Sequence, residues 1–202
     1  MRVSKLLIPV CAAVGILFAG CHKNAVDAGA FKTALNRYYA GKQDCVWADP
    51  VKFPAQADTS NDEQTKGFDA LTDAGMLTRK TTEKSRFLIG SKQVNDYDLS
   101  PQGRSTWVAD ETQPGYGNFC FGSFTVSSID NYTPANTDAE RYSVTYHYAL
   151  SGIPGWANTT EMKTAFPKIG TDSSGQHMAT AELVKGESGW VVQNVQPAAP
   201  GT

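Results

Sequence analysis

The chain has 202 residues, with 18 lysines and arginines against 20 aspartates and glutamates, three histidines and four cysteines. This slightly acidic balance argues against a nucleic-acid partner, which ordinarily demands a basic surface. The length allows one sizeable domain or two small ones packed together.

Arg2 and Lys5 give a positive start, an apolar stretch runs from Leu6 to Ala19, and Ala19-Gly20 supplies small residues before Cys21. This is the three-part layout of an export signal, and polar residues follow too soon for a comfortable membrane span. Leu17-Phe18-Ala19-Gly20-Cys21 resembles the lipobox of bacterial lipoproteins, with Phe18 where that family most often has leucine. The resemblance implies that residues 1–20 are removed and that Cys21 is acylated as the first residue of the mature chain. A plainly secreted protein, with Cys21 a bystander, is the alternative.

Each buried methylene contributes roughly 0.8 kcal/mol, and a single acyl chain holds only marginally. Lipoproteins of this type carry more than one chain, so the resemblance implies lasting attachment. In the family, aspartate after the modified cysteine tends to retain the protein at the inner membrane. His22 stands there instead, which favours the outer membrane, with the body facing the periplasm. Processing would discard Cys11 and leave 182 residues, 16 basic against 20 acidic. No second apolar stretch approaches a spanning length.

Two further cysteines remain, Cys45 and Cys120, and an even pair in an exported protein reads as a disulfide. Closing a loop of 75 residues stabilises a fold by about 4 kcal/mol in the chain-entropy model. No CxxC and no nearby histidine pair suggests a redox or metal role, and no metal or cofactor is expected.

After a tether over 21–26, Phe31, Ala34, Leu35, Tyr38 and Tyr39 form one apolar stripe at helical spacing, with Asp27 as cap and Gly41 as stop. Residues 48–60, with Pro50 and Pro54, read as an irregular connection. A second helix is predicted from Ser60, where Ser60-x-x-Glu63 makes a capping box, through Phe68 and Leu71 to Gly75. Residues 71–104, from Leu71-x-x-Ala74-Gly75-Met76-Leu77 to Ser100-Pro101-x-Gly103-Arg104, weakly resemble the last helix and wing hairpin of winged-helix domains. They lack the preceding helix that such a domain needs. Residues 78–104 hold six basic and three acidic residues, but an exported protein cannot reach cytosolic DNA, so the hairpin is read as structural.

Gln113 to Gly117 is turn-rich, and strands follow. Cys120 to Ile129 is one; Arg141 to Leu150 is the clearest, with Tyr142, Val144, Tyr146, Tyr148 and Leu150 alternating toward a core. Asn158-x-x-Glu161 caps a short helix carrying Met162, Ala165 and Phe166. Strands at His177 to Val184 and Trp190 to Val195 flank the Gly186/Gly189 turn. The predicted body is α+β: N-terminal helices with a wing-like β-hairpin (27–112), packed on a mainly antiparallel C-terminal sheet with one short helix (113–196), then a tail at 197–202. The two parts can form one domain.

Most catalytic templates fail: there is no HExxH, no GxSxG and no phosphate loop. His147 falls on the outer face of its strand. Asp96 and Asp98 flank Tyr97 on the hairpin, where solvated strand charge is the ordinary explanation. Trp107, Tyr116, Phe119 and Phe121 crowd a stretch of Gly, Pro and Asn and form a candidate binding patch, suited to sugar rings or a protein partner. The expected function is a non-catalytic envelope lipoprotein that binds another envelope component, most simply a protein. A cell-wall or glycan hydrolase and a small-ligand carrier are the alternatives.

Overall fold

A computed structural model describes residues 26–86, 90–137 and 139–197. The expected export signal, Cys21, the other expected tether positions up to Ala25 and the expected tail beyond Pro197 lie outside the described residues. The first helix, α1 (Ala28–Ala40), is capped by Asp27, whose side chain accepts the Gly29 N–H, and it stops at Gly41. Its stripe of Phe31, Ala34, Leu35 and Tyr39 is buried. Three short strands follow: β1 (Gln43–Cys45), β2 (Val51–Lys52) and β3 (Ala55–Asp58), so the connection expected to be irregular carries two strands around Pro54. Helix α2 (Asp62–Asp73) begins one residue later than expected. Asn61 caps it by accepting the Gln64 N–H, while Ser60 donates to Asp58 instead of forming the capping box.

Strands β4 (Leu77–Arg86) and β5 (Gly90–Leu99) form the expected hairpin, and β3 adds a third strand in the order β3-β5-β4. The end of the wing-like segment is a six-residue helix, α3 (Pro101–Thr106), started by Ser100, whose hydroxyl accepts the Gly103 N–H. Glycine is required at 103, because a Cβ would lie 1.9 Å from the Met76 carbonyl oxygen. After β6 (Trp107–Ala109) comes β7 (Tyr116–Pro134), followed by β8 (Arg141–Ser151), a 3-10 turn (Gly155–Asn158), α4 (Thr160–Ala165), α5 (Pro167–Asp172), β9 (Gln176–Gly186) and β10 (Gly189–Pro197). Thr159, not Asn158, caps α4, accepting the Met162 N–H. Where one short helix was expected there are two.

The main sheet runs β1-β7-β8-β9-β10, antiparallel throughout, with β2 and β6 also on β7. The protein is therefore α+β. β7 is longer than its sequence pattern suggests because its register against β8 shifts between Val126 and Ser128 and again between Ile129 and Asn131. Each bulge resets the two-residue alternation and increases the bend of the strand, so the sheet curls around α1.

Two buried clusters result, and they do not follow the division expected between residues 112 and 113. α1 packs its stripe against Val126, Tyr142, Val144, Tyr146, Ala179, Ala181 and Leu183 of β7–β9. Met162, Phe166 and Ile169, from the C-terminal part, instead join Leu71, Met76, Leu77 and Tyr97 around Phe119 and Phe121. β7 belongs to both cores. Cys45 and Cys120 are disulfide-bonded across paired positions of β1 and β7. The bridge thus pins the exit of α1 to the strand that both cores share.

Candidate functional site

α1 gives the molecule a direction. At its start, the Tyr132 hydroxyl donates to the Val26 carbonyl at 3.3 Å, and Phe31 lies against Tyr132, Tyr142 and Trp190. Thirteen residues later, about 20 Å along at 1.5 Å per residue, it ends beside Phe124 and Tyr148. There the chain turns at Gly41 and enters β1, and two open grooves lie on either side of that strand.

The first groove, of about 300 Å³, is walled by Tyr38, Tyr39, Phe124 and Tyr148, with Val195 and Pro197 of β10, and carries Lys42 just before β1 and Gln43 and Asp44 on it. Tyr39 is buried and stacks on Tyr148 with ring centroids 5.7 Å apart and planes 15° apart, while Phe124 meets Tyr148 edge-on at 5.1 Å. Tyr38, Phe124 and Tyr148 are half-buried. The Lys42 ammonium sits 3.5 Å from the centre of the Tyr38 ring. Behind Tyr148, the His177 ring packs at 5.4 Å, and its Nε2 is 3.0 Å from the Asp172 carbonyl oxygen. Burial pushes the phenols of Tyr39, Tyr146 and Tyr148 up from their ordinary value, so all three are neutral at physiological pH.

The second groove, about 400 Å³, shares Gln43 and Asp44 with the first and reaches past the disulfide to Trp47, Val108, Asp110, Asn118 and Lys168. Asp44 is only 12% exposed, and its Oδ1 is ion-paired with Lys168, which also holds Asp172 Oδ2 at 2.7 Å. Asp44 Oδ2 is buried and without a hydrogen-bond partner among the described residues. Asp110 accepts from the Thr112 hydroxyl and from the Thr112 and Gln113 backbone N–H groups, which hold its carboxyl below the usual range.

The aromatic patch expected at Trp107, Tyr116, Phe119 and Phe121 does not form. Phe119 and Phe121 are 0% exposed, because residues two apart on β7 share a face, and that face is covered by the second core. Trp107 is half-buried edge-on against Phe119, at 5.0 Å. Tyr116 alone is well exposed, at 36%, with Lys52 5.8 Å from its ring centre. Asp96 and Asp98 have separate partners, Thr82 and Gln56 for the first and Arg104 for the second. His147, on the outer sheet face, pairs through Nδ1 with Asp130 Oδ2 at 2.6 Å. Among the described residues no group of three His, Cys, Asp or Glu side chains could hold a metal ion, and no helix is long and apolar enough to cross a membrane.

The tyrosine groove was hidden in sequence because Tyr38, Tyr39 and Tyr148 lie at core-facing positions and read as core. The available signal was the polar run Lys42-Gln43-Asp44 directly after the helix stop. Comparison with protein-family models, curated proteins and solved structures finds no match for this chain.

Proposed function

We propose that the chain is a lipid-anchored protein of the bacterial cell envelope, attached through Cys21, whose disulfide-bridged body binds another envelope component without catalysing a reaction. The lipobox-like residues 17–21 support the anchor, and His22 favours the outer membrane. The observation that carries the binding reading is the pair of open grooves flanking β1. Four residues lie between Cys21 and Val26, and the five chain steps reach at most about 18 Å. The start of α1 is thus held near the membrane, with the grooves at the other end of that helix.

The hydrolase alternative would use Asp44 and Asp110, both on the second groove. Asp110 is held ionised by its hydrogen bonds, the opposite of what a general acid requires. Asp44 is committed to Lys168. A carrier would be expected to enclose its ligand, whereas both grooves are open.

Radiolabelled palmitate should enter the wild-type protein and not a Cys21→Ser variant; failure to label the wild type removes the anchor. A photoreactive residue placed at Gln43 should capture an envelope component that one placed at Met178, exposed on the outer sheet face, does not. Equal capture at both positions removes the assignment to the grooves.

A further inference from the structure

We infer that the groove at the end of α1 is a saccharide site, taking one or two neutral pyranose rings of an envelope glycan. This rests on the binding reading above and names its ligand class.

The groove offers half-buried rings from Tyr38, Phe124 and Tyr148, supported beneath by the buried Tyr39. A pyranose has apolar C–H faces that lie against such rings and a rim of hydroxyls that must find polar partners, a division suited to amphipathic aromatic surfaces. Polar partners stand along one edge on Lys42, Gln43 and Asp44, and the lining tyrosines carry hydroxyls of their own. Asp44 contributes charge and not an open acceptor: Oδ1 is taken by Lys168, and Oδ2 is buried. Gln43 on that edge is exposed, and its amide both donates to and accepts from hydroxyls.

Charge selects among donors. Lys42 and Asp44 are the charged side chains lining this groove, one of each sign, and Lys168 already offsets Asp44. An ammonium ligand would meet Lys42, and an anionic one would meet Asp44, so a neutral ligand rich in hydroxyls fits best. The volume of about 300 Å³ lies at the small end of small-molecule sites, room for a ring or two.

The test titrates the full chain, in mild detergent, with the neutral trimer of N-acetylglucosamine and with its deacetylated, cationic counterpart. Backbone amide resonances are followed at up to about 10 mM, where even a millimolar site is mostly filled. The neutral trimer should move the amides of Lys42 to Cys45 and of Val195, and should bind at least tenfold more tightly than the cationic one. Tyr38→Ala and Gln43→Ala should each weaken binding about tenfold or more, and Tyr116→Ala should leave it unchanged. The wild-type shift pattern decides the matter even if a variant folds poorly. Unmoved amides, or tighter binding of the cationic trimer, overturn the inference. If the amides stay unmoved while Gln43 still captures an envelope protein, the saccharide assignment falls and the binding reading stands; if neither responds, both fall.

Discussion

The hydroxyls of Tyr39 and Tyr146 lie 2.8 Å apart in the buried core, one from α1 and the other from β8. Each is the other's hydrogen-bond partner, so neither polar group is stranded where α1 meets the sheet. Replacing one by phenylalanine leaves the remaining hydroxyl buried and unmet, at a cost of about 1–3 kcal/mol. Tyr39→Phe and Tyr146→Phe are each expected to lower Tm by several degrees. The double variant should lose less than the two singles combined, because no orphan remains. Thermal unfolding of the four proteins checks this, and strict additivity would contradict the pairing.

The same burial sets the response to alkali. Desolvation raises the phenols of Tyr39, Tyr97, Tyr146 and Tyr148 above their ordinary value of 10.0. A group whose pKa is higher folded than unfolded binds its proton more tightly in the native state, so its stabilisation is complete below pH 10 and declines above it. Denaturant midpoints measured from pH 8 to pH 11 should fall beyond pH 10, and fall less steeply for Tyr146→Phe. A flat profile would mean that these tyrosines are not buried in solution.

Cys45 and Cys120 close a 75-residue loop across paired strands. Cys45→Ala with Cys120→Ala is expected to lower stability by about 2–4 kcal/mol, and reductant should bring the wild type to the same midpoint without affecting the variant. Denaturation with and without reductant measures both. Equal stability in all four conditions would show that the bridge does not form.

Sequence was informative where one local signal acted alone. Asp27, the Phe31–Tyr39 stripe and Gly41 define α1 almost to the residue, and the alternation from Arg141 to Leu150 defines β8. It was misleading where two signals compete or where a tertiary partner decides. Asn61 displaced Ser60 as the cap of α2 because both are good caps one residue apart. The bulges in β7 erase the alternation that would have revealed its length. Burial of Phe119 depends on Trp47, Trp107 and Trp156 folding over it from distant segments. The tyrosine groove depends on where α1 ends relative to β8 and β10, which no local pattern encodes.

Lys168 joins these distant pieces electrostatically, lying between Asp44 of β1 and Asp172 of α5. Its own side chain is 54% exposed, while those of the two carboxylates are 12% and 18% exposed. Solvent therefore screens the cation more than the anions, and losing it chiefly strands the carboxylates. Lys168→Met should cost about 1–2 kcal/mol, well under the value for a fully buried pair. In that background Asp44→Asn should recover part of the loss by removing the buried charge, although alone it destabilises the wild type. A four-protein denaturation cycle at neutral pH gives the coupling directly, and a coupling of zero would show that Lys168 and Asp44 do not meet in solution.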